Sequence, residues 1–113
     1  MNEYLLIIRG GDDEMEKLSP EEMGQHMQKW QEWMGAMAQK DQLIGGQPLK
    51  AEAISVVDGG KKLIDRPLAE GKEMMGGYIM LKAETLKEAA ELAKGCPGFQ
   101  YGCTIEVREI SQM

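Results

Sequence analysis

Tyr4-Leu5-Leu6-Ile7-Ile8 is an unbroken apolar run between Glu3 and Arg9, the pattern of a strand covered on both faces. Tyr78-Ile79-Met80-Leu81-Lys82-Ala83, opened by Gly76-Gly77, reads as a second strand of the same kind. Between them lies the clearest helix start in the chain, Ser19-Pro20-Glu21-Glu22. Ser19 can cap, Pro20 suits the first helical position, and Glu22 can reach back to complete a capping box. With Met23 at zero on a 100° wheel, Met27, Trp30, Met34 and Met37 fall within about 40° of it, a narrow apolar seam down a helix ending near Asp41. Gly24 and Gly35 lie off that seam and cost about 1 kcal/mol each relative to Ala. Thr85 with Glu88 repeats the capping signature, and Leu86, Ala89, Ala90 and Ala93 share one face of the helix it starts. Gly95 reads as its C-terminal cap and Pro97 forbids continuation.

The remaining segments complete the order. Gly10-Gly11-Asp12-Asp13 breaks the first strand, and Leu43-Ile44-Gly45-Gly46-Gln47-Pro48-Leu49 reads as a turn into an extended segment. Ala53 to Val57 reads as a strand, Asp58-Gly59-Gly60-Lys61 as a hairpin turn, and Lys62-Leu63-Ile64 as the return. Asp65 to Glu73 is a polar loop, and Thr104 to Arg108 is a last strand with alternating polarity. Strand, helix, hairpin, strand, helix, strand predicts an α+β fold, a ferredoxin-like antiparallel sheet with two helices on one face. Two helices cover only one face, so strands apolar on both sides call for a second copy against the other.

Composition narrows the function classes. A chain of 113 residues, 42% of them hydrophobic, is one domain, residues 1–113, burying about 65% of its unfolded surface. Its modest stability favours a homodimer. Thirteen Lys and Arg stand against nineteen Asp and Glu, a net charge of −6, which argues against a nucleic-acid partner because such binding needs a dense basic surface. No run of about 18 apolar residues exists for a membrane span, and the first nine residues lack the basic start of a signal peptide, so the cytoplasm is the expected location. With one His and two Cys, Cys96 and Cys103, no zinc set can be assembled; neither a metal nor a cofactor is expected, and both thiols are expected to be reduced, buried and inert.

The loop Asp65-Arg66-Pro67-Leu68-Ala69-Glu70-Gly71-Lys72-Glu73, followed by Gly76-Gly77-Tyr78, resembles the Asp-Gly-Pro-Phe-Ala-Glu-x-Lys-Glu signature of YCII-related, or DGPF-type, proteins. The opening strand, the Trp-containing first helix ending at Leu43-Ile44-Gly45-Gly46, the Ala-rich helix closing at Cys96-Pro97 and the Glu106-Val107-Arg108 strand extend the resemblance over nearly the whole chain. It departs at Arg66, where the family favours Gly, and at Leu68, where it favours Phe. The resemblance implies a dimeric α+β barrel with a cleft between sheet and loop. Some members carry a His on the first helix with a nearby Asp as an acid–base pair. Spacing back from Leu43 puts Trp30 at that position, so the catalytic pair does not carry over. Some bacterial relatives are linked to alternative sigma factors or labelled for transcription initiation.

His26, the single histidine, titrates nearest neutrality. It can serve as a general base if Asp65 or Glu70 orients it, or simply be a boundary residue stacked on Trp30 or exposed. Trp30 and Trp33 can wall a ligand pocket or pack the core or a dimer interface. Asp65, Glu70 and Lys72 can form a ligand-contacting rim, or only fold the loop and meet solvent. Gly76-Gly77 resembles no phosphate cradle, since no helix follows it, and a bulge or close backbone approach accounts for it. The first functional reading is a small dimer binding a small organic ligand in a cleft walled by Trp30, Trp33, Tyr78 and the Asp65–Glu73 loop, with conversion of that ligand left open. The alternative, implied by the family's associations alone, is an accessory protein-interaction module linked to transcription initiation or sigma-factor regulation without direct DNA binding. A third is a purely structural dimer.

Overall fold

The computed structural model describes residues 1–112. Strand β1 (Asn2–Arg9) is followed by a short helix α1 (Asp12–Met15), the long helix α2 (Pro20–Gln39), and strand β2 (Leu43–Pro48). A small hairpin of β3 (Ser55–Val57) and β4 (Lys62–Ile64) comes next. A 3-10 turn (Gly71–Glu73) leads into β5 (Met75–Ala83), then helix α3 (Leu86–Ala93), a second 3-10 turn (Pro97–Tyr101) and β6 (Thr104–Glu109). Four strands form one sheet in the order β2-β5-β1-β6, every neighbour antiparallel, and β3–β4 stands apart as a two-stranded ribbon. This is the α+β, ferredoxin-like arrangement expected from the element order.

Local chemistry sets the helix starts. Ser19 Oγ accepts from the Glu22 N–H at 3.1 Å while the Glu22 carboxylate accepts from the Ser19 N–H at 3.0 Å, a reciprocal cap on α2 that contributes about 1 kcal/mol. Those hydrogen bonds hold the Glu22 carboxyl below its ordinary pKa of 4.5. Thr85 caps α3 through the Glu88 N–H at 3.1 Å. Gly24 and Gly35 face open space.

Three local expectations are corrected. Leu43 to Pro48 is not a turn but the edge strand β2, with Ile44 as the extra residue of a bulge against β5. Its glycines permit close strand approach: a Cβ on Gly46 would stand 2.6 Å from the Tyr78 carbonyl oxygen and 3.1 Å from the Ile79 Cα. The break after β1 contains α1, entered through Gly10 and Gly11, whose φ angles of 78° and 87° favour glycine. Gly95 is not the C-cap of α3; Lys94 is, and Gly95 instead makes room for Trp33, whose ring would lie 2.9 Å from a Cβ there. Gly76-Gly77 behaves as expected. The β1–β5 register skips Gly76, and a Cβ on Gly77 would meet the Gln47 carbonyl oxygen at 3.1 Å.

The core lies between the sheet and the two long helices. Tyr4, Leu6 and Ile8 of β1 and Ile79, Leu81 and Ala83 of β5 pack with Met37 of α2 and Ala89 and Ala93 of α3. Two alanines in α3 let it lie close to the strands. The buried Tyr4 hydroxyl donates to Glu109 Oε1 at 3.2 Å, and Trp33 Nε1 donates to the Leu92 carbonyl at 3.1 Å, joining α2 to α3. On the opposite face, alternation along the strands places Leu5, Ile7, Tyr78 and Met80. No helix of the described residues is long and apolar enough to cross a membrane.

Candidate functional site

α2 crosses the β2–β5 end of the sheet where the strands carry almost no side-chain bulk. Gly46, Gly76 and Gly77 form the floor there, with Pro48 and Ile79 beside them, and Met23, Met27, Trp30 and Met34 of α2 form the roof. Glycine below and long side chains above leave a cavity of about 190 Å³. An apolar cavity of about 150 Å³ can hold benzene, so the space suits one six-membered ring with a short substituent. Met15 of α1 and Cys103 close its far end, and Met27, 47% exposed, stands on its rim. Met suits such a wall because its unbranched thioether adapts to varied shapes and favours aromatic contact. Among the described residues, no charged side chain lines the cavity.

His26 is the polar centre of this wall, only 2% exposed. Its Nε2 accepts a hydrogen bond from Trp30 Nε1 at 2.8 Å, one helical turn on. Tyr101, from the second 3-10 turn, sets its ring edge-on to the imidazole at 4.7 Å between centroids. An indole N–H can only donate, so Nε2 must carry the lone pair and Nδ1 the proton. That Nδ1 is buried without a hydrogen-bond partner among the described residues, an arrangement that costs about 1–3 kcal/mol. Burial, and secondarily the positive charge of Lys29, lower the His26 pKa below 6.5.

The sign of the resulting pH dependence is fixed. The folded protein holds His26 neutral at a pH where the unfolded chain already takes up a proton. Stability is therefore full above pH 6.5 and falls as the pH drops through the lowered folded value. Lys29 on α2, itself hydrogen-bonded to Gln100 at 3.1 Å, and Tyr101 of the second 3-10 turn are the titratable groups beside the ring, and Cys103, beyond that turn, lines the same cavity. Thermal unfolding followed between pH 7.5 and 5 should show this decline in the parent protein and a flatter profile in His26→Phe. Equal slopes would show that the ring is not held neutral by folding.

The residues singled out from sequence divide by position. His26 and Trp30 come together on the cavity wall. Trp33 meets Trp30 edge-on, with centroids 5.5 Å apart, but packs toward α3. Tyr78 contributes main chain to the wall, since its side chain alternates to the face shared with Ile7. Lys72 lies in an adjoining hollow of about 450 Å³, with Asp13, Glu16 and Leu49, that shares Met15 and Met23 with the cavity. Asp65 and Glu70 line neither space and make no hydrogen bond to His26. The thioethers and floor glycines are not legible as a site from sequence, because an apolar seam at helical spacing is what any packed helix presents. Two glycine doublets, in strands that pair, were the available signal.

Both cysteines are buried thiols rather than a disulfide. Burial pushes Cys96 up to about 11, which keeps it protonated and unreactive. Cys103 Sγ donates to the Gly10 carbonyl at 3.4 Å.

Residues 3–113 match the family model of the YCII-related domain. No curated protein matches the chain. Among solved structures, the chain is similar to 5-chloro-2-hydroxyhydroquinone dehydrochlorinase (TftG) from Burkholderia phenoliruptrix AC1100, in complex with 2,5-dihydroxybenzoquinone. The TM-score is 0.49 at 13% identity, over 98% of this chain and 95% of that one.

Proposed function

The chain belongs to the YCII-related family, and from that premise we propose that it binds a small organic molecule in the cavity between α2 and the glycine floor of β2 and β5. The observation that carries this reading is the cavity itself, walled almost wholly by apolar surface with the buried His26 among its lining residues. A core built only for stability fills such a space with side chains. Here the floor is glycine, and the roof residue Met27 reaches solvent, which offers a route of entry. Few polar anchors set in an apolar wall are what small-molecule sites use.

The working unit in this proposal is a homodimer. Leu5 and Met80, half-buried on the face of the sheet away from α2 and α3, supply apolar surface for a second copy. Ile54, Val56, Leu63 and Leu68, on and beside the β3–β4 ribbon, are largely exposed and would reach across to it. Burial of these side chains favours association at about 25 cal/mol per Å² of apolar surface.

Native mass spectrometry of the protein purified without denaturation, with a thermal-shift screen of single-ring metabolites, tests the binding reading. A ligand at one hundred times its Kd adds about 2.7 kcal/mol to stability, a readily measured shift in Tm. That shift should vanish in Met27→Trp, which fills the rim. Stabilisation that persists in a folded Met27→Trp would place the ligand elsewhere.

A further inference from the structure

Cys96-Pro97-Gly98-Phe99-Gln100-Tyr101-Gly102-Cys103 is a turn with a thiol at each end. Pro97 opens its 3-10 segment and Gly102, at a φ of 85°, ends it, so the chain folds back and the Cys103 N–H donates to the Gly98 carbonyl at 3.3 Å. That return brings both sulfurs against one point. A Cβ on Gly98 would stand 2.8 Å from Cys103 Sγ and 3.5 Å from Cys96 Sγ. Any side chain there would crowd the pair, and glycine leaves the two sulfurs room to close to the ~2.05 Å of a disulfide. We propose that Cys96 and Cys103 are an oxidation site, at which a peroxide joins them in a disulfide that clamps the turn covering His26.

The order of events follows from position. Cys103 lines the cavity, which admits a molecule as small as hydrogen peroxide. Cys96 is held protonated by burial and does not start the reaction. The Cys103 sulfur attacks one peroxide oxygen: an S–O bond forms, the O–O bond breaks, and the thiol proton leaves with the departing oxygen as water. The Cys96 sulfur then attacks the Cys103 sulfenic acid. An S–S bond forms, the S–O bond breaks, and the Cys96 proton leaves with the hydroxyl as a second water, so the two sulfurs together give two electrons to one peroxide. Cys96 is suited to this second step despite its raised pKa, because its target is already held beside it. The disulfide has no S–H, so the bond from Cys103 Sγ to the Gly10 carbonyl at 3.4 Å is lost. Tyr101 lies inside the closed loop with its ring edge-on to His26 at 4.7 Å, and the change therefore reaches the cavity wall.

Trypsin releases residues 95–108 as one peptide that holds both cysteines and no methionine, so its mass reports on the thiols alone. The folded, reduced protein is treated with hydrogen peroxide, and N-ethylmaleimide then blocks the remaining thiols in denaturant. The peptide should be lighter than its reduced form by two hydrogens and carry no maleimide, and dithiothreitol should restore both thiols. Cys96→Ala, which adds no bulk, should stop at a Cys103 sulfenic acid that dimedone captures. Gly98→Ala places a methyl group against both sulfurs and should slow disulfide formation at least tenfold. The imidazole signals of the single histidine should shift between the reduced and oxidised forms. Two maleimide-labelled cysteines after the exposed methionines have oxidised would overturn the proposal, as would a disulfide joining two chains, or a sulfinic Cys103 beside a labelled Cys96. An unchanged histidine signal in the oxidised protein would overturn the link to His26. None of these readouts needs a bound ligand, so the oxidation site and the binding reading stand or fall separately.

Discussion

Leu81→Ala lowers the free energy of unfolding by about 3 kcal/mol, within the range found when a buried Leu loses its side chain and the space cannot fully collapse. Leu81 is completely buried on the helix-covered face of β5, paired with Tyr4 of β1 on one side and Leu43 of β2 on the other. Its neighbours are held by strand pairing on both sides, which limits their movement into the space. For a domain of this size the loss amounts to roughly 10–15 °C in Tm and a large share of a total near 5–15 kcal/mol. Urea denaturation should show a lower midpoint with an unchanged slope. A loss below about 1 kcal/mol would mean that Leu81 does not sit at the centre of the sheet–helix core.

Gly46→Ala should cost about 2–3 kcal/mol although it adds one methyl group, because overpacking here acts on backbone. The new Cβ would lie 2.6 Å from the Tyr78 carbonyl oxygen and 3.1 Å from the Ile79 Cα, so β2 must move away from β5. That movement also opens the floor of the cavity, and ligand binding should weaken with it. The adjacent Gly45 faces open space, and Gly45→Ala should be neutral or stabilise by up to about 1 kcal/mol through reduced freedom of the unfolded chain. Hydrogen exchange separates the two. Faster exchange at the Gly46–Ile79 pairing in Gly46→Ala alone is the expected outcome, whereas equal behaviour of the two variants would contradict the close approach of the strands.

Much of the fold was legible because its signals are local. The Ser19 and Thr85 caps, the apolar runs of β1 and β5, and the Asp58–Lys61 turn each depend on residues a few positions apart. The edge strand β2 departs from its sequence signal for the same reason. Gly45-Gly46-Gln47-Pro48 carries turn residues, and only contact with β5 makes extended glycine favourable there. The candidate site was legible in part. Trp30 and His26 stand out in the sequence, but the helical wheel centres the buried side of α2 on Met23, whereas the most buried positions, His26 and Met37, lie to one side of that centre, flanked by Trp30 and Trp33. The turn carrying Tyr101 covers His26, and hydropathy assigns a histidine no such burial.

Family, element order and the need to cover a second sheet face could be read along the chain, since capping, periodicity and two-sided apolar strands are properties of neighbouring residues. The cavity and the state of its histidine could not. The space exists because Gly46 pairs with Ile79 and Gly77 with Pro48 across strands far apart in sequence, beneath a helix whose rotation is set by everything packed against it. The protonated Nδ1 follows from a 2.8 Å contact with Trp30 and from burial beneath a turn more than seventy residues away. Proton position and empty volume are set by distances between side chains, which tertiary packing alone supplies.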